Sequence, residues 1–203
     1  MMKKILWLLV ALCIMVTPVL ALAADYDNYG IYANEDGSCA FAYPGGWMVL
    51  SSENLDELWT EAQKLGDEKL QAFMESARPQ IEEMGMIMLL DETMASNISI
   101  IRQEMGAEIT PEALMASKEM LQEQLAASLE NVQFAQEPTL MDVDAGQAML
   151  IPYMYEMLGQ QLIGVQAYIG VGTGLYTFML TTDPANEDAF SVFGFVLGSA
   201  VLQ

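Results

Sequence analysis

Met84, Met86 and Met88 fall at alternate positions of Met84-Gly85-Met86-Ile87-Met88-Leu89-Leu90, so a strand there would gather three thioethers on one face. Thioethers suit Cu(I), a soft ion, and a chain without a single histidine would have to rely on sulfur to hold it. Methionine is also a core filler, and the 17 methionines are scattered along the chain rather than gathered in repeats, so core packing is the favoured reading. Two pairs of neighbouring carboxylates, Glu82 with Glu83 and Asp142 with Asp144, are of the type a glycoside hydrolase uses. A working pair must face each other across a sugar, which sequence neighbours rarely do, and each is more simply a surface residue. Cys39, beyond the apolar leader, has no second thiol to pair with, and its alternation with Phe41 and Tyr43 places it in a buried strand face. Asp25-Tyr26-Asp27-Asn28-Tyr29-Gly30 has the opening of a calcium loop, but Tyr29 stands at a ligand position and no glutamate closes the loop.

Without histidine, Ser-His-Asp and Cys-His hydrolysis, His-ligated zinc and most general-base schemes are excluded. No glycine-rich loop followed by Lys and Ser or Thr supports nucleotide use. No catalytic, cofactor-binding or metal-ligating residue is assigned, and the expectation is a protein that is not an enzyme and carries no cofactor. A carboxylate-based hydrolase and a Met-based Cu(I) carrier are the alternatives.

Seven basic residues stand against 28 acidic ones, a net charge of −21. Nucleic acid and anionic lipid surfaces would repel such a chain, whereas a basic partner face would attract it. Lys3-Lys4, the apolar run Ile5 to Val16 and the small residues of Ala21-Leu22-Ala23 read as a signal peptide, residues 1–23, cleaved after Ala23. Its removal takes two lysines and no carboxylate. The expected product is a secreted or extracytoplasmic domain, residues 24–203, without a membrane anchor.

These residues are positioned by an ordered set of elements. Ile31-Tyr32 and the Cys39 strand flank a turn at Asn34-Glu35-Asp36-Gly37, and Pro44-Gly45-Gly46 is expected to fold the Cys39 strand back on Trp47 and Val49 as a hairpin, with Trp47 largely buried. Leu55, Leu58, Trp59, Ala62 and Leu65 mark a helix that Gly66 ends. Asp67 caps a second, which Pro79 ends or kinks. Met84–Leu90 and Asn97–Ile101 read as strands. Thr110-Pro111 opens a helix carrying Leu114, Leu121, Leu125 and Leu129 through to Asn131. Residues 132–182 are almost all strand, with Leu175–Leu180 apolar on both faces and therefore needing a layer above and below. Asp183-Pro184 is expected to start a last helix whose Phe190, Phe193, Val196 and Leu197 face inward.

The Phe-x-Tyr-Pro-x-Gly-Trp stretch at Phe41–Trp47, the Asn97-Ile98-Ser99-Ile100 strand before a Pro-started helix, the ladder of hairpins and the Thr-x-Asp-Pro step at Thr181–Pro184 together resemble the PsbP-like family. That family shares its fold with a Ran-binding nuclear import factor. The resemblance covers roughly residues 30 to 202 and lies in element order more than in identities. It implies an α+β fold, a mostly antiparallel β-sheet with helices on both faces (an α/β/α sandwich), in one domain. It also implies a mostly non-catalytic accessory module that docks on a larger assembly. The photosystem members help retain calcium and chloride, but with no histidine and few basic residues here, no functional residue is carried over. The loops at Pro44–Gly46 and Asp142–Gly146 are accessible places for an unknown protein or envelope partner.

Overall fold

The computed structural model describes residues 28–203; the signal segment 1–23 and Asp25-Tyr26-Asp27 lie outside the described residues. Two antiparallel sheets carry the fold. In the small one, β1 (Tyr29–Ala33) and β2 (Cys39–Pro44) form a hairpin, and β11 (Val201–Leu202) pairs the other edge of β2. The turn between β1 and β2 is held by Asn34, whose Oδ1 accepts the Cys39 N–H at 2.8 Å.

The large sheet runs in the order β3 (Trp47–Leu50), β4 (Ile87–Asp91), β5 (Asn97–Glu104), β10 (Gly174–Thr182), β9 (Gln160–Val171), β8 (Gly146–Met157) and β6 (Glu130–Phe134), with β7 (Thr139–Val143) sharing the outer edge of β8. β10 is central, paired with β5 on one side and β9 on the other, as expected of a strand with two apolar faces.

One face of this sheet is closed completely. Phe178, Leu180, Ile98, Ala167 and Ile169 pack against Val192, Phe193, Val196 and Leu197 of helix α5 (Asp188–Gly198), and Cys39 and Phe41 bring the small sheet onto the same core. The other face carries two separate covers. Helices α1 (Leu55–Leu65) and α2 (Glu68–Met84) lie over β3 and β4 through Leu55, Ala62, Met74 and Ile81. Helices α3 (Pro111–Ala116) and α4 (Lys118–Ser128) lie over β8 and β9 through Leu114 and Leu125. This is the expected α+β arrangement of a mostly antiparallel sheet with helices on both faces.

Several local expectations are corrected. β2 and β3 are not a hairpin: Pro44-Gly45-Gly46 carries the chain from the small sheet to the large one, and the Gly45 N–H is taken by the Asn28 carbonyl at 2.9 Å. The period-two reading missed this because each half of the stretch is a good strand with a different partner. Trp47 is half-buried, on the edge strand of the large sheet. Helix α2 runs through Pro79, which sits on its exposed side, to Met84.

The helix begun at Thr110 is interrupted at Ser117, whose hydroxyl donates to the Ala113 carbonyl at 2.9 Å, and it stops at Ser128 so that residues 130–134 can become β6. The last helix starts at Asp188, not Pro184. Asp183 spends its Oδ1 on the Ala185 N–H in a turn, and Asn186 Oδ1, just ahead of the Glu187 cap position, accepts from the Ala189 N–H at 3.3 Å.

Candidate functional site

On the doubly covered face, the space between α2 and α4 is left open over the middle of the sheet. It forms a cleft of about 390 Å³. Strand alternation sets its floor: Tyr153 and Tyr155 of β8, Gln166 and Tyr168 of β9, Thr181 of β10 and Ser99 of β5 all point to this face, while their neighbours Met154, Ala167, Leu180 and Ile98 point to the closed one. The walls are Leu121 and Leu125 from α4 and Met86 and Met179 from the sheet side, with Gln80, Gln124 and Ser128 at the helix rims.

The floor is a set of neutral hydrogen-bonding groups in two clusters. The Tyr168 hydroxyl donates to Gln166 Oε1, the Gln166 side chain also bonds the Tyr153 hydroxyl, and the Tyr155 hydroxyl donates to Thr181 Oγ1 at 3.4 Å. Gln166 is only 8% exposed, and among the described residues no buried side-chain polar atom lacks a partner. Tyr153 is placed by a gap in the strand beside it. Its register partner on β9 is Gly164, and a Cβ there would come within 2.3 Å of Tyr153 Cζ, so only glycine leaves room for the ring.

The floor is electrically neutral. Burial pushes the Tyr168 phenol up to about 12. Burial also raises Tyr153, the adjacent Tyr155 adding to it and the Gln166 hydrogen bond opposing it. No carboxylate, ammonium or guanidinium is among the lining residues.

The side chains singled out in the sequence lie elsewhere. Met84 is the exposed last residue of α2, and Gly85, at φ 62°, turns the chain before β4, so the expected three-thioether face does not form. Met88 is buried with Leu50, Met74 and Leu90 under α1 and α2, and Met86, in the same core, also lines the cleft. Glu82 accepts from Arg78 Nη1 at 2.6 Å on the surface of α2, and Glu83 is exposed beside it. Asp142 accepts from Gln147 Nε2 at 2.8 Å, and Asp144 is exposed in the β7–β8 turn. None of the four carboxylates lines the cleft. Among the described residues, no three of His, Cys, Asp and Glu converge as a metal site. Cys39 is buried and free, as expected, and burial pushes its thiol up to about 12, with Asp36 adding to it.

A second hollow lies between the β1–β2 turn and the end of α2. Its carboxylates serve the local fold: Glu53 accepts from the Glu35 N–H at 2.8 Å and from the Tyr32 hydroxyl at 3.4 Å. The cleft residues Gln166 and Tyr168 were not singled out from the sequence, because Ile163, Val165, Ala167 and Ile169 make their strand read as apolar. Their signal was the other half of the same alternation, Gly164, Gln166 and Tyr168, a polar set inside a long apolar strand.

No family model matches the chain, and no curated protein matches its sequence. Solved structures do match. The solution structure of cyanobacterial PsbP (CyanoP) from Synechocystis sp. PCC 6803 aligns over 89% of this chain and 96% of its own, at 15% identity and a TM-score of 0.56. The chain has the PsbP-like fold. A crystal structure from Bacteroides thetaiotaomicron VPI-5482 aligns over 85% of this chain at 9% identity and a TM-score of 0.50; the chain spans about half of that protein, 48% of its length.

Proposed function

We propose that this PsbP-like chain is a non-catalytic accessory domain that works outside the cytoplasm, docks on a protein or envelope partner, and binds through the cleft between α2 and α4. The observation that carries the reading is the floor of the cleft: Tyr153 and Tyr168 hold their protons, and no carboxylate, thiol or amine lies among the lining residues to act as base or nucleophile. Surface carboxylates outside the cleft shape which partners approach, favouring a basic face and repelling nucleic acid.

Export rests on Lys3-Lys4, the apolar run and Ala21-Leu22-Ala23. Intact mass of the protein recovered from its native host should correspond to a chain beginning at Ala24; a chain still carrying Met1 overturns that part of the reading. For the cleft, a photo-crosslinking residue placed at Gln124 on the rim should capture a specific adduct in the host, and the same residue at exposed Glu187, beside the other face, should not. Equal capture at both positions counts against the cleft. Turnover of a glycan, peptide or ester by pure protein, abolished by one carboxylate exchange, would make it an enzyme.

A further inference from the structure

What the cleft presents narrows what it can hold. Its amides and hydroxyls each donate and accept, while Leu121, Leu125, Met86 and Met179 offer apolar wall. The floor network leaves capacity unused. Thr181 accepts from Tyr155 and keeps its own O–H to give, and Tyr168 donates to Gln166 and keeps its oxygen lone pairs.

Charge argues for a neutral ligand. An anion would find no cation to pair with and would enter against the field of a chain at −21, whereas a cation would lose water without gaining a carboxylate among the lining groups. An extended peptide is disfavoured for another reason. Such peptides take much of their affinity from free main-chain groups at a sheet edge, and the strands under the cleft are paired on both sides. The volume, about 390 Å³, lies in the lower part of the ligand-pocket range of about 300–1,000 Å³.

Resting on the reading of the cleft as a binding site, we propose that its ligand is a neutral carbohydrate, a short stretch of sugar chain whose hydroxyls meet the Tyr153, Gln166, Tyr168 and Thr181 floor and whose C–H faces lie on the leucine wall of α4. Sugars combine those two surfaces in one ring, and the cleft combines their complements.

The test is titration calorimetry of the full chain, as exported, with cellobiose, maltotriose and diacetylchitobiose as neutral probes and a chitosan trimer as the cationic control. At least one neutral sugar should bind, and Gln166→Ala should weaken it by about tenfold, the loss of a buried hydrogen-bonding group. Because Gln166 belongs to the packed floor, Ser128→Trp is the second variant: it fills the mouth from an exposed rim position and should abolish binding while leaving the melting temperature unchanged. Binding of none of the neutral sugars, binding of the chitosan trimer alone, or binding that survives Ser128→Trp overturns the proposal. A specific adduct at Gln124 with no sugar bound would remove the carbohydrate and leave the binding site standing; loss of both would remove both.

Discussion

Cys39 illustrates how burial turns a reactive group into a structural one. In the unfolded chain its thiol ionises near 9.0, whereas in the folded protein it holds its proton to about 12, and Tyr168 behaves likewise, from 10.0 to about 12. Between those values the unfolded chain binds fewer protons than the native one, so the stability these groups contribute is complete below the unfolded values and is lost as pH rises from them through the folded ones. The melting temperature should therefore fall between about pH 9 and about pH 12, and Cys39→Ala, compared with the parent, should show a shallower fall. Thiol labelling of the native protein should be slow and become fast on unfolding; immediate labelling would mean that Cys39 is not buried in solution. Gly164→Ala makes a different residue-level test. A methyl group driven into the Tyr153 ring should cost about 1–3 kcal/mol by chemical denaturation and deform the cleft floor with it.

At the scale of elements, the polar joints decide where helices and sheets meet. Ser96 Oγ lies 2.7 Å from Thr182 Oγ1 and accepts from Asn186 Nδ2 at 2.8 Å, so one buried node ties the turn before β5, the end of β10 and the approach to α5. Asn186→Ala removes both this bond and the one from the Ala189 N–H and should lower stability by about 1–2 kcal/mol, read as a shift in the denaturant midpoint without a change in slope. Element type was largely legible in the sequence because period and caps are local: the Leu55 helix, the Asn97 strand and the hairpins from β8 to β10 stand where their patterns put them. Partner choice was not legible. Phe41–Val49 reads as two strands and a turn whether the strands pair with each other or with different sheets, and the stripe from Leu114 to Leu129 does not reveal that Ser117 breaks it. The cleft was illegible for a related reason, since it exists only where two helical covers fail to meet, and no single element encodes that gap.

For the whole molecule, charge is the dominant unbalanced quantity. The ion pairs among the described residues, such as Arg78 with Asp56 and Lys118 with Glu137, are at the surface and few beside 28 carboxylates. Self-repulsion should therefore be screened by salt, with the melting temperature rising as sodium chloride shortens the Debye length from about 30 Å at 0.01 M to about 10 Å at 0.1 M. A flat or falling response would mean that the carboxylates are spaced widely enough not to repel. The small sheet has a different implication. The Tyr176 hydroxyl lies 2.8 Å from both the Ser38 and the Gln203 carbonyl oxygens, the Ala42 N–H donates to Ser199 Oγ across 157 residues, and β11 completes the sheet begun by β1 and β2. Such long closures make folding slow, and they also set its order. A nascent chain made only as far as residue 198 holds β2 with one edge bare, and until residues 199–203 arrive that edge is open to the wrong partner, another copy of the same strand included.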